Sequence, residues 1–428
     1  MINKKTILRI VLLATVVFLV GNMFLGGYMF DKKLMGAQIM AEAHLLDEYN
    51  ITDLPPFKYR ILFAWVVQGT YEILGGDNNE LFFRTFIAWS YLFFLTASIS
   101  FFWLLRTLRF SKKTSWLGLT LFLLSPAVIM GFTPPVHTRE DFMAYTFLAL
   151  GLGLLIKGRM LPFMIVSVIA VTCRETMLIL PFTMLFFTRY YTFVKRAALA
   201  VIPFVAWVGF RFLLGYERYD IVEGLQYNLN NYMQIPAFFF ITFSALWVVF
   251  LYSSVRSSVP STSSDMRRTI ISSAPWAVLL IVLTTFFGGI FNEIRLLHLA
   301  FPWIIGANLV YIERYRNMIM EQMTQKLYIG LTAFLAILTF ASGYYILAEY
   351  GHMLTFTRYA VPAKLWIIAG LITFFVFSAW LPVALSIMME DHRRITGRRQ
   401  VADSNAGGYK SELELGHHSH HREKEYIH

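Results

Sequence analysis

Residues Lys157 to Arg189 read KGRMLPFMIVSVIAVTCRETMLILPFTMLFFTR, and this stretch decides how the chain meets a bilayer. Two apolar arms, Met160 to Thr172 and Thr176 to Phe187, flank Arg174 and Glu175. Each arm is about 12–13 residues, roughly 19 Å as helix, which is short for a full span. Basic residues lie beyond both ends, at Lys157 and Arg159 and then at Arg189, Lys195 and Arg196. A hairpin entering from the cytoplasm, with Arg174 and Glu175 at its outward apex, satisfies both facts. The alternative is one long helix with a buried ion pair. It would invert everything downstream and put basic loops outside, against the usual bias of Lys and Arg toward the cytoplasm.

The rest of the chain sets the context for that hairpin. Of 428 residues, 57% are hydrophobic and 15% charged, with mean hydropathy +0.57. Repeated apolar runs of about 20 residues suit a helical membrane protein, and the alternating pattern of a transmembrane barrel is absent. The expected fold is therefore all-α, a polytopic bundle of about 11–13 spans counting the hairpin. The formal charge of +11 sits mostly in short loops and a tail. That is an orientation signal, so nucleic acid is not expected as a partner. The single cysteine, Cys173, rules out an intrachain disulfide.

Outward from the hairpin, the loop charges give a consistent path. Helix one, about Ile7 to Phe30, leaves Asp31 outside and its basic flank inside. Residues 31–79 form the largest external loop, with surface helices expected at Met35 to Leu46 and Ile61 to Leu74, separated by Pro55 and Pro56. Further spans are expected at Leu81 to Leu105, Trp116 to Phe132, Phe142 to Ile156, Ala197 to Leu214, Met233 to Tyr252, Ile270 to Ile290 and Leu296 to Ile312. Tyr216 to Tyr232 reads as an external loop. Leu327 to Ala348 and Ala363 to Met389 close a membrane domain of residues 1–389, and residues 390–428 read as a disordered cytoplasmic tail. Both termini then lie on the cytoplasmic side of a multi-pass protein of a bacterial or archaeal cytoplasmic membrane.

This path collects charged clusters on one side. They are Asp31 with Asp47 and Glu48; Lys58, Tyr59 and Arg60; His137, Arg139, Glu140 and Asp141; Arg174 and Glu175; and Asn292, Glu293 and Arg295. Ionisable groups at membrane depth are expensive and mark functional sites by default. Each cluster also has a plainer reading: acids favoured at a helix start, a neutralising Arg174–Glu175 pair, or cations reaching lipid headgroups. Their common side favours one polar site. Arg forks match phosphate oxygens, and a carboxylate can take a hydroxyl proton. No cofactor is demanded, and a divalent metal on the carboxylates stays open.

The order of features resembles the GT-C superfamily of integral membrane glycosyltransferases, in the branch that uses polyprenyl-phosphate sugars to transfer mannose or aminoarabinose. The resemblance rests on Asp31 after the first helix and the amphipathic stretch ending in Pro55-Pro56-Phe57-Lys58-Tyr59-Arg60. It also rests on Arg84, on Leu124-Ser125-Pro126, on the charged loop through Asp141, and on Arg174-Glu175 through Pro181. It implies a polyprenyl-phosphate-sugar donor, an acceptor of unstated kind, and inverting transfer at the external membrane face. Asp31 would be the catalytic base, with Asp47 and Glu48 as alternates because Lys32 stands where the family often has a second acid. Lys58, Arg60, Arg139, Arg174 and Arg295 would bind the donor phosphate. Rival readings are a polysaccharide polymerase or ligase of another membrane family, a lipid or sugar transporter, and a noncatalytic scaffold of the same fold.

Overall fold

The computed structural model describes residues 3–24, 61–76, 79–132, 140–186, 191–215, 221–255, 265–289, 294–325 and 380–390, with a few single positions at 329–341 and 392–396. Most of the described residues are helical, and none of them forms a strand. In chain order the helices are α1 (Lys4–Phe24), α2 (Ile61–Ile73), α3 (Asn79–Thr107), α4 (Lys112–Leu123), α5 (Pro126–Met130), α6 (Glu140–Ile156) and α7 (Met160–Cys173). A 3-10 turn (Glu175–Leu178) leads into α8 (Ile179–Phe186), followed by α9 (Phe193–Leu213), α10 (Ile221–Asn230) and α11 (Ile235–Phe243). The remainder are α12 (Leu246–Val255), α13 (Asp265–Gly288), α14 (Ile294–His298), α15 (Phe301–Arg314), α16 (Arg316–Thr324) and α17 (Trp380–Glu390).

Among the described residues, three helices are long and apolar enough to cross a membrane: Lys4–Asn22, Glu80–Thr107 and Phe193–Leu213. Several other apolar runs are interrupted, for identifiable reasons. Pro126 cannot donate to the turn before it, so Trp116 to Phe132 splits into α4 and α5 around Ser125. Pro302 starts α15 in the same way and separates it from α14, breaking the expected Leu296 to Ile312 span. Met233 to Tyr252 breaks at Ser244, a non-glycine residue with φ 51°. The expected loop from Tyr216 to Tyr232 contains α10, and the expected surface helix at Ile61 to Leu74 packs Phe63 and Val67 into the core.

The core is built on α3 and α6, which lie against each other over much of their length. Phenylalanine rings fill the seam: Phe94 meets Phe142 at 5.0 Å and Phe132 at 5.4 Å, and Phe18 of α1 meets Phe132 at 5.5 Å. Small residues allow the close approach. A Cβ on Gly153 would lie 1.9 Å from Trp103, and one on Gly118 would lie 2.7 Å from both Leu105 and Leu309. On the far side, Asn308 Nδ2 donates to Leu246 O (3.0 Å) and Ile304 O (2.8 Å), and its Oδ1 accepts from Trp380 Nε1 (3.0 Å). One satisfied amide thus ties α12, α15 and α17 together.

The decisive stretch reverses direction. α7 runs back along α6 and brings Arg174 to Asp141. Only six residues later, Leu180 packs against Gly151, far down α6. α9 contacts both arms, and Arg196 near its start donates to Leu185 O. At that same end Lys157 lies 4.6 Å over Trp103, and the Ser111 N–H donates to Glu313. Partial burial, and secondly Arg159, hold the Lys157 pKa below the usual lysine range. The basic end of the bundle is therefore opposite the Arg174 end.

Candidate functional site

Arg174 is where α7 stops and the 3-10 turn starts. Its backbone is extended (φ −158°, ψ 138°), its N–H donates to Ala170 O, and its carbonyl accepts from the Met177 N–H. The same residue closes one helix and opens the next. Its side chain, 1% exposed, forms an ion pair with Asp141, 3% exposed. Asp141 is the second residue of α6, where the helix dipole already favours an anion. Glu140, half-buried, precedes it, and half-buried Glu175 follows Arg174. Four ionisable residues from two helix ends therefore stand together at one end of an apolar bundle.

The structure pairs Arg174 with the carboxylate of Asp141, 33 positions earlier in the chain, a partner that the sequence reading did not name for it. The pairing follows from the α6–α7 antiparallel packing, which no local pattern encodes. A phosphate reaching this guanidinium would share it with Asp141.

Tyr145, one turn below Asp141 on α6, continues the polar column inward. Its ring is 5.1 Å from that of His298, which is fully buried. His298 ends α14, and its Nε2 lies 3.1 Å from Ser125 Oγ at the α4–α5 break. Phe122, Phe243 and Phe301 stack around the imidazole at 5.8, 5.3 and 5.4 Å. Two helix interruptions, at Ser125 and at His298 itself, meet here, and Phe243 brings in the residue before the Ser244 break.

Arg295 lies on α14, one turn before His298. Arg84 is exposed and pairs with Glu80 at 2.5 Å. Asp31, Asp47, Glu48, Lys58, Tyr59, Arg60, His137, Arg139, Asn292 and Glu293 lie outside the described residues. Their described flanks nevertheless share the Arg174 end. Gly21, near the end of α1, packs on Phe132, and Gly131 packs on Phe142, beside Asp141. α2, which follows Arg60, packs against α3 and α7. α13 ends under α10, where buried Asn228 donates to Phe286 O (2.8 Å) and Gly289 O (2.9 Å). That fastens the end of α13.

Sequence reading passed over His298, Tyr145 and Asn228, and met Ser125 only as part of the Leu124-Ser125-Pro126 turn. The signal for His298 was its position three residues after Arg295, on one face of a helix. No group of three or more His, Cys, Asp or Glu among the described residues could hold a metal ion. Comparison with known proteins found no matching family model, no matching curated protein and no matching solved structure.

Proposed function

We propose that the chain is a polytopic membrane glycosyltransferase of GT-C-like architecture, moving a sugar from a polyprenyl-phosphate-linked donor to an acceptor at the external membrane face. The observation that carries this reading is the buried Arg174–Asp141 pair at the α7 break, with Glu140 and Glu175 beside it. An ion pair is costly to bury where apolar residues would pack as well, so retaining one inside an apolar bundle argues for use rather than stability. The convergence of the other charged stretches' flanks on the same end supports a single site.

In this proposal Lys58, Arg60, Arg139 and Arg295 hold the donor phosphate, and Arg174 joins them while keeping Asp141 oriented. The leaving lipid phosphate gains charge as the glycosidic bond breaks, and preorganised cations stabilise it. Asp31, with Asp47 and Glu48 as alternates, takes the acceptor hydroxyl proton. The sugar's anomeric carbon bonds to the acceptor oxygen, and the bond to the phosphate oxygen breaks with its electron pair left on phosphate.

A transporter is the second reading. It is favoured by the interrupted helices around His298, because discontinuous helices build substrate sites in transporters. Consumption of the donor separates the two, and the phosphate site itself is tested by a binding experiment with the protein in nanodiscs. A polyprenyl phosphate should bind, the matching polyprenol without phosphate should not, and Arg174→Gln should weaken the phosphate-dependent binding. Equal affinity for the two lipids would remove the phosphate site and the reading with it.

A further inference from the structure

His298 sits in a box that would suit a phenylalanine. Three phenylalanine rings and Tyr145 surround it, and it is fully buried. Ser125 Oγ lies 2.8 Å from Phe122 O and 3.1 Å from His298 Nε2. Both contacts are hydrogen bonds together when the one hydroxyl proton goes to Phe122 O and the imidazole Nε2–H donates to Ser125. The other nitrogen, Nδ1, is left as a buried lone pair with no hydrogen-bond donor among the described residues. Such an atom carries a desolvation cost that a phenylalanine would not. Packing alone thus favours Phe at this position, and what the histidine adds is the bond to Ser125.

That bond has a specific location. His298 closes the turn that carries Arg295. Ser125 marks the break that starts α5. Tyr145 stands one turn from Asp141 on α6. We propose that His298 is a positioning residue of the candidate site. Through the Nε2–H bond to Ser125 and the contact with Tyr145, it fixes the Arg295 turn relative to the start of α5 and the Asp141 end of α6. This rests on the proposed phosphate site, but its structural half can be tested without it.

The experiment uses the full chain in nanodiscs with His298→Phe and His298→Gln. Phenylalanine fills the box without the hydrogen bond. Glutamine keeps an N–H near the Nε2 position but packs less well. Three quantities are read: the thermal midpoint, the Kd for a polyprenyl phosphate, and the thiol-labelling rate of Arg295→Cys in a Cys173→Ala background.

His298→Phe should keep or raise the midpoint, weaken polyprenyl phosphate binding by about tenfold or more, and speed labelling at position 295, since small misplacements of a binding shell are costly. His298→Gln should lower the midpoint yet stay within about threefold of the parent in both other readouts. A purely structural role gives the reverse order, with Phe harmless and Gln harmful. Parent-like binding and labelling in His298→Phe would overturn the inference, as would misfolding of that variant. If the parent binds no polyprenyl phosphate while labelling follows the expected order, the phosphate reading fails and the positioning role stands.

Discussion

Removing the guanidinium of Arg174 while keeping Asp141 leaves a carboxylate buried with its ion-pair partner gone. Arg174 is 1% exposed and Asp141 3%, so solvent screening does little for either charge. Breaking a pair in that regime costs about 3–5 kcal/mol, whereas replacing both members by apolar groups is often neutral or better. Arg174→Met and Asp141→Leu should therefore each destabilise by several kcal/mol, and the double variant should recover most of the loss. The coupling energy should reach about 3 kcal/mol, roughly a hundredfold in the unfolding equilibrium. Reversible unfolding in mixed micelles, run as a double-mutant cycle, measures it. Additive single effects, or single losses under about 1 kcal/mol as for surface pairs, would refute the buried pairing.

Three other outcomes follow from particular contacts. Gly153→Ala puts a Cβ 1.9 Å from the Trp103 ring and should cost about 1–3 kcal/mol by overpacking; combining it with Trp103→Leu should relieve the loss in the same unfolding measurement. Asn228→Leu should cost about 1–3 kcal/mol because the carbonyls of Phe286 and Gly289 lose their donor. A protease-protection assay should place the new weakness at the end of α13. Asp31→Asn should leave folding and donor binding intact while transfer falls about 10²–10⁴-fold. The same fall in Asp47→Asn alone would move the base there.

Much of the helical content was legible because apolar runs punctuated by charge have few other solutions. At Arg174, two short arms with basic residues at both outer ends favoured a reversal over one long helix. Pro126 and Pro302 signalled the breaks that follow from a missing N–H, although a run as apolar as Leu296 to Ile312 conceals the second. Ser244 carries no such signal, since a serine inside an apolar run does not announce a positive φ. The partnership of Arg174 with Asp141 was not legible either, because contact between antiparallel helices depends on tertiary packing. His298 was hidden by its setting, since a lone histidine in an apolar run reads as core until Ser125 and Tyr145 are seen beside it.

The most direct measurement of the central claim is turnover of a polyprenyl phosphate carrying a radiolabelled hexose, tested as a panel of sugars with the protein in nanodiscs and an external-face extract as acceptor. The account predicts that at least one donor yields free polyprenyl phosphate and labelled acceptor in equal amounts, with release suppressed in Arg174→Gln and Asp31→Asn. Donor left unconsumed by folded wild-type protein across the whole panel would contradict it.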